Sequence, residues 1–403
     1  MKNFFASCAV GMETLLLKEI TNVGIQDTRS QRGGVDFKCD DLMAIKVILH
    51  TRVASRVYKR LWEFEANSEK DIYDKAVVLD WKDVMDLKQT FKIRTIFEHG
   101  AKTMGKFRNS MYASQILKDA IADNFRTNFG SRPNVDKDNP DIDLVLRLVE
   151  KNASVLLNIC GASLNQREYR VETTEAPIKE NLAAGLIALS KWDPSKEPFV
   201  DSMCGSGTFC IEAAMIKADI PPSFLKLKKF VENSEEQPWS FLKHLYFEND
   251  AELKDAFALE AKTLLEKTYG NLDAIKYDAP TIFGFDLDSS AVGIARSNIS
   301  AAMLDKMIVI SRGNAAKITP PATAKKGVII CNPPYGERLG LTQELRSLYV
   351  EYGTNLKRNF RDWRGFVFTG SDQLAKLIPL KPTSKTRLFN GDIECFLIEY
   401  LLH

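Results

Sequence analysis

The sequence predicts an α/β protein in which a large, mostly parallel sheet follows two smaller α+β units. In the C-terminal half, short apolar strands alternate with amphipathic helices and end in a hairpin, the order that produces a mixed, mostly parallel sheet. Several of these strands are followed by polar or glycine-rich loops, where open α/β sheets bind ligands. In the N-terminal half, two successive blocks of strands and helices contain hairpin signals.

Composition sets limits on the class of protein. The chain has 403 residues, of which 45% are hydrophobic, so it is long enough for two or three domains. A net charge of +2 neither demands nor excludes nucleic acid. Seven scattered cysteines without close pairs argue against a disulfide framework or a metal site. No apolar run reaches membrane-spanning length, so we expect a cytoplasmic protein without membrane contact. We also expect no obligate protein partner.

Residues 1–62 predict a small ferredoxin-like domain. Gly33 and Gly34 separate two strand-like runs, which indicates a hairpin. The whole block has the order βαββαβ, which is typical of this fold. No catalytic constellation is found there. The predicted strands are 4–7, 28–30, 35–38 and one ending near 62, and the predicted helices are 11–23 and 41–50.

Residues 63–162 predict a second α+β domain with basic character. A helix over 110–129 is indicated by its apolar spacing, by Ser110 as the N-cap and by Gly130 as the terminator. Any single cation here is most simply part of a solvated face. As a group, they are better interpreted as a surface for the RNA backbone. The predicted RNA-binding residues are Lys92, Arg94, Lys102, Lys106, Arg108, Lys118, Arg126 and Arg132.

Residues 163–403 form the predicted catalytic domain, in which Pro177 is expected in the first helical turn. A buried strand ends at Asp201 and leads into the loop 202–208, where two glycines let a ligand approach the backbone. A glycine pair alone is a weak signal. The third glycine of the dinucleotide fingerprint is missing, and Asp201 suits a ligand with an amine and a sulfonium. We therefore prefer S-adenosylmethionine to NAD as the cofactor.

A second strand of this domain ends at Asp286, the position where α/β cofactor folds hold ribose hydroxyls. The competing interpretation is that this acid caps the following helix. We assign the ribose to Asp286 and the cap to Asp288 or Ser289, which lie nearer the helix start. Residues 222–279 interrupt the alternating pattern as an insertion, and the sequence indicates no function for them.

The strand 327–330 carries the most informative loop, Asn332-Pro333-Pro334-Tyr335. Two prolines stiffen the backbone, so that the Asn332 side-chain oxygen and the Pro333 carbonyl can accept both N–H bonds of a planar exocyclic amine. Such bonding stabilises the positive charge that develops as the amine attacks. Tyr335 offers a face on which a flat base can stack. A proline-stiffened turn without chemistry is the alternative for such a short motif.

Together, these motifs resemble the class I S-adenosylmethionine-dependent RNA guanine-N2 methyltransferases, and among them the large-subunit (23S) ribosomal RNA family called RlmL. The resemblance rests on 201–208, 284–288, 332–339 and 176–181, and more diffusely on 118–123 for a THUMP domain. It implies a Rossmann-like methyltransferase domain preceded by ferredoxin-like and THUMP domains. Some relatives carry a second methyltransferase domain, and we expect a single-domain form here.

The resemblance also implies residue roles. Gly205 and Gly207 would face the methionine part of the cofactor, Leu287 the adenine face and Asn314 the adenine amine. Many relatives have Asp where Asn314 stands, so we expect weaker cofactor binding. The implied catalytic residues are Asn332, Pro333, Pro334 and Tyr335. The implied cofactor-binding residues are Asp201, Cys204, Gly205, Gly207, Thr208, Asp286, Leu287, Asn314 and Asn332.

The expected partner is RNA, either 23S rRNA or a ribosomal assembly intermediate, and the expected reaction is methylation of guanine N2. An N6-adenine DNA or glutamine-N5 protein methyltransferase is one alternative, because the same loop serves all planar amines. A tRNA guanine-N2 methyltransferase with the same modules is another. A catalytically idle RNA-binding assembly factor is the alternative from a different functional class.

Overall fold

Two seven-stranded sheets form the framework of the protein in the computed structural model. The structure describes residues 1–98, 107–174, 177–233, 236–275, 278–322, 324–335 and 342–403. Within these ranges, none of the helices has the length and apolar character needed to cross a membrane.

The N-terminal sheet has the strand order β2-β3-β1-β4-β7-β6-β5. Its pairings are antiparallel apart from the parallel pair β5 and β6. The first four strands have the ferredoxin-like order, as predicted from the βαββαβ pattern. The strands are β1 (Lys2–Cys8), β2 (Thr28–Gln31), β3 (Gly34–Cys39), β4 (Ala54–Glu65), β5 (Phe91–Glu98), β6 (Ile142–Val149) and β7 (Asn152–Asn158).

Strand β4 belongs to both halves of this sheet. Tyr58 pairs with Phe5 of β1 on one side and with Asn158 of β7 on the other. The strand runs to Glu65, beyond the predicted end near residue 62. Two α+β units that the sequence separates are therefore joined by continuous backbone hydrogen bonding.

Within the described residues, four helices accompany the N-terminal sheet, and the longest of them differs from the prediction at its start. The cap of α4 is Asn109, whose side chain accepts a hydrogen bond from the Tyr112 N–H at 2.8 Å. Ser110 is already the first helical residue, so the predicted cap was wrong by one position. Gly130 ends the helix with φ +74°, as predicted. The helices are α1 (Glu13–Asn22), α2 (Asp41–His50), α3 (Glu69–Ala76) and α4 (Ser110–Phe129), with a 3-10 turn at Trp81–Asp83.

The C-terminal sheet has the order β10-β9-β8-β11-β12-β14-β13. Its first five strands are parallel, and the last two form an antiparallel hairpin. Val328 and Ile330 join one buried apolar cluster and Ile329 joins another, so both faces of this sheet are covered. The strands are β8 (Phe199–Asp201), β9 (Ile282–Asp286), β10 (Ile308–Arg312), β11 (Val328–Cys331), β12 (Arg364–Thr369), β13 (Ser384–Asn390) and β14 (Ile393–Leu401).

The helices around this sheet confirm one predicted cap and correct one predicted start. Asp288 caps α10 by accepting from the Ser290 N–H at 2.9 Å. Pro177 lies before α5 rather than in its first turn, because Arg170 binds the Ile178 carbonyl and Lys179 keeps an extended backbone. The helices are α5 (Glu180–Leu189), α6 (Thr208–Lys217), α7 (Phe224–Glu232), α8 (Leu245–Glu248), α9 (Ala251–Ile275), α10 (Ser289–Ala301), α11 (Gln343–Asn359) and α12 (Asp372–Ala375).

The predicted insertion, residues 222–279, contains α7, α8 and α9 and packs against the N-terminal sheet. The Ser240 hydroxyl donates to the Asn158 carbonyl at 2.8 Å, at the end of β7. Lys46 of α2 forms an ion pair with Glu260 of α9 at 2.8 Å. The insertion therefore joins the catalytic domain to both halves of the N-terminal sheet, a role that the sequence did not reveal.

A buried polar cluster forms a second connection between the two sheets. Glu212 of α6 accepts a hydrogen bond from the Tyr169 hydroxyl at 2.9 Å and lies 3.6 Å from the Arg167 Nε. The Arg167 and Glu212 side chains are 2% and 0% exposed. Arg167 also donates to the carbonyl of Arg52, and the Arg52 guanidinium donates to the Ile220 carbonyl at 2.7 Å. Burial raises the pKa of Glu212, and the nearby guanidinium groups oppose that shift.

Candidate active site

The carboxyl ends of the parallel strands bring the predicted site residues to one edge of the C-terminal sheet. Asp201 at the end of β8 lies between Ile330 of β11 and Gly284 of β9 in the strand register. The Ser202 N–H also donates to the Ile330 carbonyl at 3.1 Å. The strand order reverses between β8 and β11, and such a switch point is where open α/β sheets hold their ligands. The loops after Asp201, Asp286 and Cys331 therefore border one site.

The glycine-rich loop between β8 and α6 adopts a conformation that requires its glycines. Gly205 and Gly207 have φ values of +50° and +84°. A Cβ added at Gly207 would lie 3.2 Å from the Ala295 Cβ, so the close approach of α10 also favours glycine there. The Gly205 N–H donates to the Asp286 carboxylate at 2.9 Å. The loop is thus shaped and held before any ligand binds.

The two predicted acids have different surroundings. Asp201 is buried, and its carboxylate accepts from the Met203 N–H at 3.2 Å. Burial, together with the charge of Asp286, raises the pKa of Asp201 to about 8. Asp286 is only half-buried and accepts from the Gly205 and Asp288 N–H groups at 2.9 and 3.0 Å. Asp286 is therefore the acid available to a ligand, while Asp201 lies beneath the loop.

Leu287 and Asn314 border the same edge but differ in availability. Leu287 is 61% exposed although it is apolar, as a residue that covers a flat ring would be before the ring binds. The Asn314 side-chain oxygen already accepts from the Ala316 N–H at 2.9 Å. An amide oxygen has two lone pairs, so one remains for an incoming amine.

Two of the predicted cofactor residues, Thr208 and Cys204, help to hold the glycine-rich loop in place. The Thr208 hydroxyl accepts from Arg170 at 3.0 Å, and Arg170 also forms an ion pair with Glu180 at 2.9 Å. The Cys204 thiol is buried, and burial raises its pKa well above the ordinary value. The Cys204 N–H donates to the Phe285 carbonyl at 2.8 Å, which fixes the loop to β9.

The Asn-Pro-Pro-Tyr loop follows β11 directly. The Asn332 side-chain oxygen is buried and has no hydrogen-bond partner within the described ranges of the chain. The Pro334 carbonyl accepts from the Tyr349 hydroxyl at 3.3 Å, which anchors the second proline. A buried acceptor without a partner costs about 1–3 kcal/mol, so its presence in a rigid loop points to a ligand.

Tyr335 completes this loop on the sheet side. Its ring lies against Gly370 after β12, where an added Cβ would come within 2.9 Å of the ring. The Cys395 thiol of β14 lies 3.8 Å from the Tyr335 hydroxyl. A glycine at 370 therefore makes room for the ring and sets its orientation.

Several residues that support the site were not identified from the sequence. Asn298 of α10 is fully buried and donates to the Ser206 carbonyl at 3.0 Å. The Ser202 hydroxyl donates a hydrogen bond to the Tyr352 hydroxyl at 2.8 Å. The hydroxyls of Tyr349 and Thr369 are hydrogen-bonded to each other at 3.1 Å. Tyr349 and Tyr352 are one turn apart in α11, so their spacing in the sequence could have indicated that both side chains point to the same side of the helix. The pairing of Asn298 with a distant loop had no sequence signal.

The predicted RNA-binding cations that lie within the described residues are found on more than one surface. Ile93 and Phe97 of β5 contact the apolar core that also contains the inner face of α4, so Lys92 and Arg94 lie on the opposite face of the sheet. Lys118 and Arg126 belong to α4 itself. The helix and the sheet therefore separate the two pairs.

Ion pairing further reduces the charge of this group. Arg94, Lys118 and Arg126 have acidic partners at 3.6, 3.2 and 2.9 Å, respectively. Arg108 and Arg132 are exposed, and the Arg108 guanidinium lies over the Tyr112 ring at 4.7 Å. Lys102 and Lys106 lie outside the described residues.

Comparison with known proteins identifies the family. A model of the RMKL-like methyltransferase domain matches residues 167–399. The chain belongs to this family. Models of the RlmL ferredoxin-like domain and the THUMP domain match residues 3–58 and 66–158, which confirms the predicted resemblance and fold class.

Individual relatives of this RMKL-like protein agree with the assignment. A ribosomal RNA large subunit methyltransferase K/L from Photobacterium profundum is 34% identical over 402 residues, covering 100% of this chain and 53% of its own length. The chain thus spans about half the length of the curated relatives that it matches. A crystal structure of a protein described as a methyltransferase, in complex with SAH, is 30% identical, with a TM-score of 0.81 and coverage of 100% and 98% of the two chains.

A third relative carries a different substrate description. This crystal structure, of a protein from Listeria monocytogenes described as an N6-adenine-specific DNA methylase, is 26% identical, with a TM-score of 0.80 and coverage of 100% and 96% of the two chains. Similar chains therefore carry descriptions that name different nucleic acids, ribosomal RNA in one case and DNA in the other. Among the described residues, no group of His, Cys, Asp or Glu could hold a metal ion.

Proposed function

We propose that the protein transfers a methyl group from S-adenosylmethionine to the exocyclic N2 amine of a guanine in large-subunit ribosomal RNA. The observation that carries this proposal is the buried oxygen of Asn332 at the switch point of the sheet, which has no hydrogen-bond partner among the residues that the structure describes. An exocyclic NH2 group is the natural donor for such an acceptor. The names of the rRNA methyltransferase relatives and the THUMP match support RNA as the substrate class.

The residues at the sheet edge fit the proposed cofactor. The half-buried carboxylate of Asp286 has lone pairs available for ribose hydroxyls, and the exposed Leu287 offers an apolar surface for adenine. Gly205 and Gly207 would face the methionine part, and the Asn314 oxygen would accept from the adenine amine. The family and the relative crystallised with SAH support this choice of cofactor. When bound, the cofactor supplies an electrophilic methyl group.

The chain's own residues would orient the amine and stabilise the charge that it develops. The Asn332 oxygen and the Pro333 carbonyl would accept the two N–H bonds, which turns the nitrogen lone pair away from the ring and toward the donor side. Positive charge grows on the nitrogen during attack, and these two oxygens face it without having to reorganise. The N–H proton becomes acidic only as the new bond forms, so no strong base is required at the start.

Tyr335 would hold the base itself. The Cδ2 and Cε2 atoms of its ring lie against Gly370, so a flat base would stack on the part of the ring that Gly370 does not cover. Stacking on an aromatic side chain is worth about 1–3 kcal/mol per base. The target must leave its helix to reach this position, as in other enzymes that act on a base. Pro334, anchored by Tyr349, would keep the loop in place during this step.

The decisive experiment identifies the product. The purified protein is incubated with labelled S-adenosylmethionine and an unmodified large-subunit rRNA transcript, and the nucleosides are analysed by mass spectrometry. We expect N2-methylguanosine. Parallel reactions contain tRNA, DNA and protein extracts from the same cells. Methylation of adenine N6, or of one of these other substrates alone, would overturn the proposal, and failure to bind S-adenosylmethionine would favour an idle RNA-binding factor.

Asn332→Ala tests the proposed role of the loop. We expect turnover to fall at least about 10²–10³-fold, the loss typical when one preorganised group facing developing charge is removed. The dissociation constant for SAH, measured by calorimetry, should change little because the ribose and adenine sites are intact. Asn22→Ala, at an exposed position in α1, is the matched control. Undiminished methylation by Asn332→Ala would remove the central role assigned to this side chain.

A further inference from the structure

A cavity of about 430 Å³ lies between the N-terminal sheet and the last hairpin of the catalytic domain. The loop after β1, the β2–β3 turn, the start of α5 and the β13–β14 turn surround it. Its volume is within the range of sites that hold small molecules or single nucleotides. The residues that define its chemistry are Arg32, Ser55, Lys179, Asn181, Phe389 and Asp392.

Asn181 gives the cavity an unsatisfied acceptor. Its side chain is only 4% exposed. The side-chain nitrogen donates to the Val53 carbonyl at 3.2 Å and to the Ser55 hydroxyl at 3.1 Å. The oxygen has no hydrogen-bond partner within the described parts of the chain. These two bonds fix the orientation of the amide, so its oxygen is held ready for a donor from a ligand.

The charges around the cavity favour an anion. Arg32 and Lys179 are exposed, and neither forms an ion pair within the described ranges. They come from different domains, so the two cations converge only in the folded chain. Asp392 contributes one opposing carboxylate, which leaves a net positive charge among these three side chains. Two cations beside an unpaired amide oxygen fit the phosphate and the base of one nucleotide.

The cavity is connected to the proposed active site through elements that contact both. The β13–β14 hairpin lines the cavity with Phe389, and six residues later Cys395 approaches the Tyr335 hydroxyl at 3.8 Å. Glu180, next to Lys179, pairs with Arg170, which in turn binds Thr208 of the glycine-rich loop. A ligand in the cavity would therefore lie one hairpin away from the base that Tyr335 holds.

We propose that this cavity binds a nucleotide adjacent to the methylated guanosine in the same RNA strand. Its phosphate lies at Arg32 and Lys179, and an N–H group of its base donates to the Asn181 oxygen. The target base must leave its stack to reach the active site, and RNA-binding proteins read the unstacked bases of loops and bulges at their edges. This inference rests on the proposed function and extends it, because it assigns the ferredoxin-like domain a part in choosing the substrate.

The charge of the cavity is tested with Arg32→Ala, Lys179→Ala and the double variant. Binding of an unmodified large-subunit rRNA transcript is measured at several salt concentrations. Neutralising one phosphate contact lowers the slope of log affinity against log salt by about 0.7–0.9, and we expect this change in the double variant. Arg29→Ala and Lys326→Ala, exposed cations of the same two domains outside the cavity, should leave the slope unchanged. The dissociation constant for SAH should be unaffected in all variants.

The base contact is tested by crosslinking. Transcripts containing 4-thiouridine and 6-thioguanosine are irradiated with the wild-type protein and the double variant, and crosslinked peptides are identified by mass spectrometry. We expect a crosslink to the peptide containing Phe389 that is lost in the double variant. A wild-type salt slope in the double variant, or crosslinks to other peptides only, would overturn the inference. Methyl transfer by the wild-type protein to the same transcript tests the proposed function separately.

Discussion

The two sheets contain the same number of strands but expose different parts of themselves. In the C-terminal sheet, β8 and β11 are buried along their whole length, so only the strand ends can meet a ligand. In the N-terminal sheet, β4 is half-buried or exposed from Arg60 to Glu65, and Arg60 pairs there with Asp36 of β3. A sheet covered on both faces concentrates its chemistry at one edge, whereas a sheet covered on one face offers a broad surface. Short motifs therefore reveal the first kind of site better than the second.

The two sheets are joined by the buried polar cluster around Glu212. Glu212→Ala tests whether this cluster holds them together as one folding unit. Removing this carboxylate leaves the Arg167 charge and the Tyr169 hydroxyl buried without their partner. We expect the free energy of unfolding to fall by about 3–5 kcal/mol, the usual cost of breaking a buried pair from one side. Chemical denaturation monitored by fluorescence measures the change.

Glu252→Ala is the control for this connection, because Glu252 is exposed in the first turn of α9. Its effect should remain within about 0.5 kcal/mol. If Glu212→Ala were equally mild, the buried cluster would not hold the sheets together, and the two could be treated as independent units.

The raised pKa of Asp201, about 8, gives a test of ligand binding at the edge of the C-terminal sheet. At neutral pH the carboxyl is largely protonated, and a cationic cofactor nearby would lower this pKa. We therefore expect cofactor binding at pH 7 to release part of a proton and to strengthen as the pH rises toward 8. Calorimetry in buffers of different ionisation enthalpy measures the release, which should disappear in Asp201→Asn.

The same shift predicts how stability depends on pH. Between about pH 4, near the unfolded value for Asp, and pH 8, the folded chain binds more protons at Asp201 than the unfolded chain does. The free energy of unfolding of the wild-type protein should therefore decrease relative to Asp201→Asn as the pH rises through this window. A constant difference between the two proteins would show that the carboxyl is ionised throughout.

The smallest expected effect concerns the surface of the N-terminal half. Arg108 is exposed, whereas Arg126 bonds Asp123 at 2.9 Å. If RNA contacts this end of α4, Arg108→Ala should reduce the salt slope of RNA binding by about 0.7–0.9, the contribution of one phosphate contact. Arg126→Ala should change it less. Equal slopes for both variants and the wild-type protein would place the RNA on another face.

The sequence predicted the C-terminal sheet well because its local patterns carry the necessary information. The strand ending at Asp201 and the cap at Asp288 occur where spacing and residue type indicated them, and the predicted C-terminal hairpin forms between β13 and β14 with Gly391 and Asp392 as its turn residues. The elements β8, β9 and β11 are short, apolar and followed by polar loops. These features depend on neighbours within a few residues.

The remaining features depend on residues far apart in the chain. The basic residues of 92–132 looked like one group because sequence does not show which side of β5 faces α4. The sequence did not indicate the role of residues 222–279, because the residues that they contact, such as Asn158 and Lys46, belong to another domain. The orientation of the Asn181 amide is set by Val53 and Ser55, which lie far away in the sequence, and its oxygen has no partner in the part of the chain that the structure describes.

The dual membership of β4 has a practical consequence for dividing the chain. A fragment that stops at residue 62 would keep the pairing of Tyr58 with Phe5 but lose its pairing with Asn158. The exposed edge left behind would invite association between copies. A hinge at this boundary would have to break the hydrogen bonds between β4 and β7. Residues 1–158 should therefore be expressed together and treated as one rigid unit in any study of domain motion.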